Sequence, residues 1–204
     1  MMKQKNFKIG NIPAVLLGDD SESVYLFVHG QSGYKEEAID FAKIACQDGW
    51  QVVGIDLPKH GERKNEQVEL LPWNVIPELT AVIKYLKENW KHISIRATSI
   101  GAWFCMLSFA EEPIENSLFV SPILDMEQLI KDMMQWASVS EEQLETEKEI
   151  QTDFGETLSW RYYTFAKQHP IQNWRSATYI LYGNKDHLTQ RHTVDKFVKN
   201  FSVN

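Results

Sequence analysis

The sequence has 204 residues, of which 43% are hydrophobic and 24% are charged, as is usual for one globular domain with a substantial core. Its formal net charge of −7, with no cluster of Lys or Arg, would repel a phosphate backbone, so we expect no nucleic-acid partner. The N-terminus has no apolar signal core, no segment is long enough to span a bilayer, and the two cysteines suit a reducing compartment, which together predict a cytoplasmic protein without a membrane partner.

The first third of the chain alternates apolar runs with an amphipathic stretch. Residues 7–19 predict a short antiparallel start. "SVYLFVHG" (23–30) and "WQVVGIDLP" (50–58) are nearly continuous apolar runs, typical of strands buried on both faces. Between them, "KEEAIDFAKIACQDG" (35–49) predicts a helix that Gly49 caps at its C-terminus.

The alternation continues to the end of the chain. A helix is predicted from Asn74 as its N-cap, with Pro77 in its first turn. The strand "HISIRATS" (92–99) leads directly into the helix "IGAWFCMLSFA". Two more strands, "SLFVSPIL" and "ATYILYG", and a last helix, "QRHTVDKFVKNF", complete the pattern. Strands that alternate with helices predict a mostly parallel sheet flanked by helices.

One segment interrupts this alternation. Residues 126–174 contain no convincing buried strand, but they include an acidic helical stretch at 140–150 and an aromatic-rich one at 158–170. An insertion of this size is too long for a simple loop, so it predicts a helical cap. We therefore expect a core formed by residues 1–125 and 175–204, with the cap inserted at 126–174.

Ser99 is the candidate nucleophile. It lies at the predicted junction between a strand and a helix, with Ala97 and Gly101 as small residues two positions to either side. A nucleophile elbow needs this context, because a tight turn must raise the serine hydroxyl above the sheet while strand and helix pack closely. A serine at the start of a helix can also be an ordinary N-cap, so the pattern alone leaves both interpretations open.

Three other stretches fall at the same edge of the predicted sheet. "HGQSG" follows the strand at 23–30, and its turn would direct the backbone N–H of Gln31, together with that of Ile100, at an oxyanion. Asp186 follows a later strand, and Asp125 follows "SLFVSPIL" as a second candidate acid. The stretch "DLPKHGER" follows the strand at 50–58. Active-site groups of open parallel sheets gather at the carboxyl ends of the strands, where all of these stretches lie.

Together, "YLFVHGQSGYKEEAIDFAKIACQDGWQVVGIDLPKHGER", "ATSIGA" and "ILYGNKDHL" resemble the α/β-hydrolase superfamily, in its serine esterase and S33-peptidase-like branch. The resemblance covers almost the whole chain. It implies an α/β-hydrolase fold with a cap, a Ser–His–acid triad and an oxyanion hole. Carried over to this sequence, Ser99 is the nucleophile, Asp186 the acid, and Gln31 and Ile100 the oxyanion donors.

The resemblance also implies a general base beyond one more strand, but the sequence ends at Asn204, where that strand would begin. We therefore expect the last strand and helix to be missing, through truncation or in a catalytically defective relative. None of the six histidines is an evident substitute. His29 and His60 are expected to be structural, and His187 directly follows Asp186, so these two side chains should diverge. His92, His169 and His192 are expected to lie at the surface or in the cap.

The leading functional hypothesis is a serine hydrolase that cleaves a carboxylic ester, thioester or small amide through an acyl-enzyme on Ser99. A binding protein without turnover and an acyltransferase are the alternatives. We expect a small-molecule substrate with an apolar acyl or aromatic part, because the cap is rich in large apolar side chains: Met133, Met134, Trp136, Trp160, Tyr162, Tyr163 and Phe165. No metal or organic cofactor is expected, since the sequence has neither metal-ligand spacing nor a phosphate-binding loop. The sequence does not predict the oligomeric state.

Overall fold

The computed structural model describes residues 2–201 and is built around a seven-stranded sheet. Its strands are β1 (Gln4–Ile9), β2 (Ile12–Leu17), β3 (Ser23–Val28), β4 (Gln51–Ile55), β5 (His92–Thr98), β6 (Asn116–Val120) and β9 (Ala177–Leu181), while β7 and β8 form a separate hairpin described below. The strand order across the sheet is β1-β2-β4-β3-β5-β6-β9. β1 and β2 are antiparallel, as is the pair β2 and β4, whereas every pairing from β4 across to β9 is parallel. The predicted mostly parallel sheet with an antiparallel start is confirmed.

Helices cover both faces of this sheet. They are α1 (Ala38–Ala45), α2 (Pro72–Asn89), α3 (Ile100–Ser108), α4 (Met126–Trp136), α5 (Glu141–Glu147), α6 (Trp160–Gln168) and α7 (Arg191–Asn200). The alternation of side chains along β3 shows why both faces are apolar. Phe27 packs with α1 on one face, while Leu26 and Val28 join the larger cluster with α2 and α3 on the other.

The start of α2 differs from the prediction. The helix begins at Pro72 and is preceded by Leu71 with extended backbone, so Asn74 is not its N-cap. Instead, the Asn74 side-chain amide donates a hydrogen bond to the Glu69 carbonyl at 2.9 Å. Proline suits the first helical position because its missing N–H would have no partner there. Pro77 consequently lies in the second turn rather than the first.

The segment 126–174 contains α4, α5 and α6, and also a two-stranded antiparallel hairpin that the sequence did not predict. This hairpin pairs β7 (Glu149–Gln151) with β8 (Thr157–Ser159). The helix expected over 140–150 ends at Glu147, because Lys148 adopts a φ of +69° and turns the chain. Whether this segment forms a separate cap stays a prediction. Among residues 2–201, no helix combines the length and apolarity needed to cross a membrane.

Candidate active site

Ser99 lies between β5 and α3 in a strained backbone conformation, with φ 50° and ψ −122°. A side chain at positive φ outside the ordinary left-handed well is unfavourable, and such strain persists only where the surroundings impose it. Here the Ser99 N–H donates to the Val120 carbonyl at 3.0 Å, and the Ser99 carbonyl accepts from Ala102 and Ile123 at 3.1 Å each. The bonds to Val120 of β6 and to Ile123 in the following loop hold the sharp turn that a nucleophile elbow requires.

Two glycines allow the backbone around Ser99 to pack this closely. A Cβ at Gly101 would lie 2.4 Å from the His29 carbonyl oxygen, closer than real Cβ atoms approach. A Cβ at Gly30 would lie 3.2 Å from the Ser99 Cβ. The end of β3 can therefore approach the first turn of α3 this closely only because Gly101 lacks a side chain, and a side chain at Gly30 would crowd Ser99. Ala97, the other small residue of the pattern, is fully buried in β5.

The two predicted oxyanion donors line the same cavity as Ser99. Gln31 follows β3, and Ile100 is the first residue of α3. Within residues 2–201, neither backbone N–H donates to a protein acceptor. The Ile100 N–H also lies at the positive end of the α3 dipole. Both amides are thus without a protein acceptor in the described chain, as an oxyanion donor requires.

Two histidines fix the loop that carries Gln31. The buried His29 ring bonds to the Gly30 carbonyl at 2.7 Å through Nδ1 and accepts the Leu57 N–H at 3.0 Å through Nε2. Burial lowers the pKa of His29 to about 4, so the ring is neutral at pH 7. His60 bonds to the Pro58 carbonyl and accepts the Ser32 N–H, both at 2.8 Å. His60 therefore joins the loop after β4 to the loop that carries Gln31, a connection that the sequence did not predict.

A buried charge cluster holds the loop that carries His60. The Asp56 carboxylate accepts the backbone N–H groups of Lys35 and Glu62 at 2.8 and 3.1 Å, and it pairs with Lys35 Nζ at 3.3 Å. Burial lowers the pKa of Lys35, but its carboxylate neighbours outweigh that effect and the pKa is raised overall. A Cβ at Gly61 would overlap the Asp56 carboxylate, so only glycine fits there. Asp56 thus has a structural role.

Asp186 is held by its own turn after β9. Its Oδ1 accepts the backbone N–H groups of Leu188 and Thr189 at 3.0 and 3.1 Å. His187 and Leu188, rather than Asp186, line the cavity that Ser99 shares. The structure therefore brings His187 to the same cavity as Ser99, while the Asp186 carboxylate is engaged by main-chain amides.

Asp125 has a different role and place. It is the N-cap of α4, where its Oδ1 accepts the Gln128 N–H at 3.0 Å. It lines a second, smaller cavity of about 170 Å³, and Ser99 does not contribute to that cavity. The exposed His169 lines this smaller cavity too, with its ring stacked on Phe165 at 4.0 Å between centroids. His92 is the first residue of β5, where its Nδ1 contacts the Glu115 carboxylate. His192 is exposed on α7.

The cavity of Ser99 measures about 1210 Å³ and is bounded by residues of both the sheet edge and the segment 126–174. Three of the apolar side chains expected to form a substrate pocket do line it: Met133, Trp136 and Tyr162. Met134, Trp160, Tyr163 and Phe165 lie outside its lining and pack elsewhere.

Several residues that line the Ser99 cavity were not identified as candidate site residues from the sequence. Trp73 lies in the first turn of α2, and the Arg161 guanidinium stacks over its ring at 3.8 Å. Glu156, in the hairpin turn, accepts a hydrogen bond from the Gln31 side chain at 3.1 Å. These pairings join distant parts of the chain, so spacing along the sequence could not reveal them. In the part of the chain that the structure describes, no group of three or more His, Cys, Asp or Glu side chains could hold a metal ion.

No protein-family model and no curated protein matches the sequence. Solved structures do match over nearly the whole chain. Est1E from Butyrivibrio proteoclasticus, solved with ferulic acid bound, is 17% identical with a TM-score of 0.73, over 98% of this chain and 87% of that one. A putative hydrolase from Agrobacterium vitis is 13% identical with a TM-score of 0.74, over 100% and 88% of the two chains.

A third similar structure is the thioesterase domain from the curacin biosynthetic pathway, which is 16% identical with a TM-score of 0.60 over 100% of this chain and 92% of that one. At these identities the likeness concerns the fold. The chain has the α/β-hydrolase fold, as the motifs around Ser99 and Asp186 implied.

Proposed function

We propose that this protein is a serine hydrolase that cleaves a carboxylic ester or thioester through an acyl-enzyme on Ser99. The observation that carries the proposal is the strained backbone of Ser99 at the strand–helix junction, with the free amides of Gln31 and Ile100 on the same cavity. An ordinary N-cap serine has extended backbone and needs no positive φ. Its side chain would also accept a hydrogen bond from the helix, and no such bond is present at Ser99.

In the proposed reaction, the Ser99 hydroxyl attacks the carbonyl carbon and loses its proton to a base. The amides of Gln31 and Ile100 stabilise the negative charge on the carbonyl oxygen until the alcohol or thiol leaves. Water then attacks the acyl-enzyme and releases the acid. Est1E and the curacin thioesterase domain share this fold, which favours an ester or thioester as the substrate. The aromatic lining from Trp73, Trp136 and Tyr162 favours an apolar or aromatic group on it.

Among residues 2–201, His187 is the histidine that lines this cavity, so it is our candidate for the proton acceptor. Within residues 2–201, no hydrogen bond joins the His187 ring to a carboxylate, and Oδ1 of the neighbouring Asp186 accepts main-chain amides instead. An imidazole that is not oriented is a poor general base. We therefore expect His187→Gln to lower the esterase rate by less than about tenfold, well below the 10²–10⁴-fold contribution of a positioned base.

The test is hydrolysis of p-nitrophenyl esters and of an acyl thioester by the purified chain, with Ser99→Ala as the control. We expect Ser99→Ala to lower kcat/KM by about 10³-fold or more. Equal rates for the two proteins would contradict the proposal. Product analysis in the presence of an alternative alcohol acceptor would separate hydrolysis from acyl transfer.

A binding protein without turnover is the second candidate, because no histidine nitrogen within residues 2–201 is hydrogen-bonded to Ser99. It predicts that esters raise the melting temperature of the chain while Ser99 remains unacylated. Rapid reaction of Ser99 with a fluorophosphonate would exclude it.

A further inference from the structure

The turn that carries Gln31 has a strained residue at its centre. The Gly33 N–H donates to the Gly30 carbonyl at 3.1 Å, which makes residues 30–33 a β-turn with Gln31 and Ser32 at its two central positions. Ser32 has a φ of +64°, whereas the φ of Gln31 is not positive, and this combination is that of a type II turn. Glycine or asparagine normally occupies the position of Ser32, because other side chains are unfavourable there. The type II turn therefore needs a contact that maintains it.

His60 supplies that contact. The Ser32 N–H belongs to the central peptide of the turn, and it donates to His60 Nε2 at 2.8 Å. The other ring nitrogen, Nδ1, lies 2.8 Å from the Pro58 carbonyl oxygen, which can only accept. The ring that satisfies both contacts is neutral and has its proton on Nδ1, because only this form offers a lone pair to Ser32 and a proton to Pro58.

Two histidines thus hold the two peptide groups that meet at the Gln31 Cα. The peptide before Gln31 has its carbonyl on Gly30, which bonds to His29 Nδ1 at 2.7 Å. In a trans peptide the N–H points opposite to the carbonyl, so this bond directs the Gln31 N–H away from His29. The peptide after Gln31 is the one that His60 holds. The predicted oxyanion donor is therefore fixed from both sides.

Protonation of His60 would reverse the preference of this turn. Types I and II differ by rotation of the central peptide, and type I needs no positive φ, so conversion to type I would relieve the strain at Ser32. The rotation replaces the Ser32 N–H that faces His60 with the Gln31 carbonyl oxygen. A protonated ring carries a hydrogen on Nε2, which excludes the Ser32 N–H but can donate to that oxygen. The turn thus has two arrangements, and the charge on His60 selects between them.

The surroundings show which group can change its charge. Burial lowers the pKa of His29 to about 4, which keeps that ring neutral, whereas His60 is only partly buried. The other charged side chains around the turn are Asp56 and Glu62, paired with Lys35; Lys59, paired with Glu69; Glu156, bonded to Gln31; and Glu37, beside Gly33. Histidine is the side-chain type in this set that ordinarily changes charge between pH 5 and pH 8.

We propose that His60 is a positioning residue, which holds Gln31 in the type II turn while its ring is neutral and releases it when the ring is protonated. In the released turn only His29 still holds the Gln31 Cα, so the Gln31 N–H is less well placed to stabilise an oxyanion. Hydrolysis should therefore slow towards acid pH through kcat, because the oxyanion forms only after the substrate has bound. The catalytic part of this inference rests on the proposed function.

The turn itself is tested by an NMR titration of the wild-type chain between pH 8 and pH 5, which needs no substrate. We expect the Ser32 amide and the His60 ring to titrate with one common midpoint, and the His60 proton to lie on Nδ1 at pH 8. A Ser32 amide that does not respond to the titration of His60 would overturn the inference. A His60 proton on Nε2 at pH 8 would do the same.

The catalytic consequence is tested by ester hydrolysis in two variants. His60→Gln brings an oxygen to the position of Nε2 that accepts at every pH, so its kcat relative to wild type should rise by about tenfold between pH 8 and pH 5. The ratio cancels the titration of any general base that both proteins share. His60→Ala has no acceptor, so its kcat should be about tenfold below wild type at pH 8, with KM within about twofold.

The matched control is His92→Gln at the start of β5, whose kcat relative to wild type should stay constant over the same pH range. A constant ratio for His60→Gln would overturn the inference, as would a change in KM in place of kcat for His60→Ala. Failure of the wild-type chain to acylate Ser99 would contradict the proposed function instead. The NMR titration would then still decide whether His60 holds the turn.

Discussion

The two sides of the candidate active site are built in different ways. On the nucleophile side, formed by residues 28–33 and 97–102, backbone packs on backbone with no room for a Cβ at Gly101. On the acid side, formed by residues 181–190, most residues are exposed, and a Cβ at Gly183 would meet nothing within 4 Å. Ser99 is therefore fixed by tertiary packing, whereas Asp186 is fixed by a local turn. This difference predicts that equivalent substitutions will have unequal effects on the two sides.

Among substitutions that keep Ser99, the largest effect should come from removing the backbone N–H of Gln31, a predicted oxyanion donor. Gln31→Pro lacks the backbone N–H, and loss of one such donor costs about 10²–10³ in kcat, equivalent to about 3–4 kcal/mol. Gln31→Ala keeps the N–H and loses only the exposed side-chain bond to Glu156, so its kcat should stay within about twofold of wild type. Steady-state kinetics measures both, and a similar loss in the two variants would argue against the backbone amide as the donor.

Packing should produce the next largest effect. In Gly101→Ala, the new Cβ must displace the backbone carbonyls of His29 and Val28, which we expect to reduce the free energy of unfolding by about 3 kcal/mol. Gly183→Ala on the acid side meets open space, so its unfolding free energy should change by less than about 0.5 kcal/mol. Urea unfolding measures both values. Equal changes would show that the two sides are packed alike.

The nucleophile side should also confer a pH dependence on stability. Burial lowers the pKa of folded His29 to about 4, below the ordinary value of 6.5, so the unfolded chain takes up the proton first as the pH falls. The free energy of unfolding should therefore decrease with falling pH, by about 2 kcal/mol from this group between pH 8 and pH 5. The loss should be complete only below the folded pKa.

Urea unfolding of wild type and His29→Asn at several pH values isolates this contribution, because other groups titrate alike in both proteins. Should His29→Asn fold poorly, an NMR titration of His29 in the wild-type chain measures its folded pKa directly. A value near 6.5, or the same pH slope in both proteins, would contradict the account of a buried neutral ring.

The smallest effect should come from the acid side. Asp186→Ala removes the acceptor of two exposed or half-buried backbone amides, which we expect to cost about 1 kcal/mol of unfolding free energy. Asp186→Asn keeps an acceptor oxygen and should recover most of that loss. Thermal unfolding of the two variants checks this. A loss of several kcal/mol in Asp186→Asn would show that the carboxylate charge stabilises contacts beyond this local turn.

The same contrast explains what the sequence could predict. The parallel sheet and the strand–helix junction at Ser99 were predictable, because apolar runs, helical periodicity and small flanking residues are local patterns. The start of α2 was not, since Pro72 at the first helical position took precedence over Asn74 as a cap. The hairpin of β7 and β8 is too short for a periodicity signal, and the bond between Ser32 and His60 joins loops that are far apart in the chain.

The most direct test of the central claim, that Ser99 is the nucleophile, is reaction of the purified chain with a fluorophosphonate followed by peptide mapping. The account predicts one phosphonylated residue, Ser99, with no labelling of Ser99→Ala. Ser99 should be labelled more slowly in Gln31→Pro than in Gln31→Ala, because Gln31→Pro lacks the backbone N–H that would stabilise the phosphonyl oxygen. Absence of labelling in the wild-type chain, or labelling that persists in Ser99→Ala, would contradict the account.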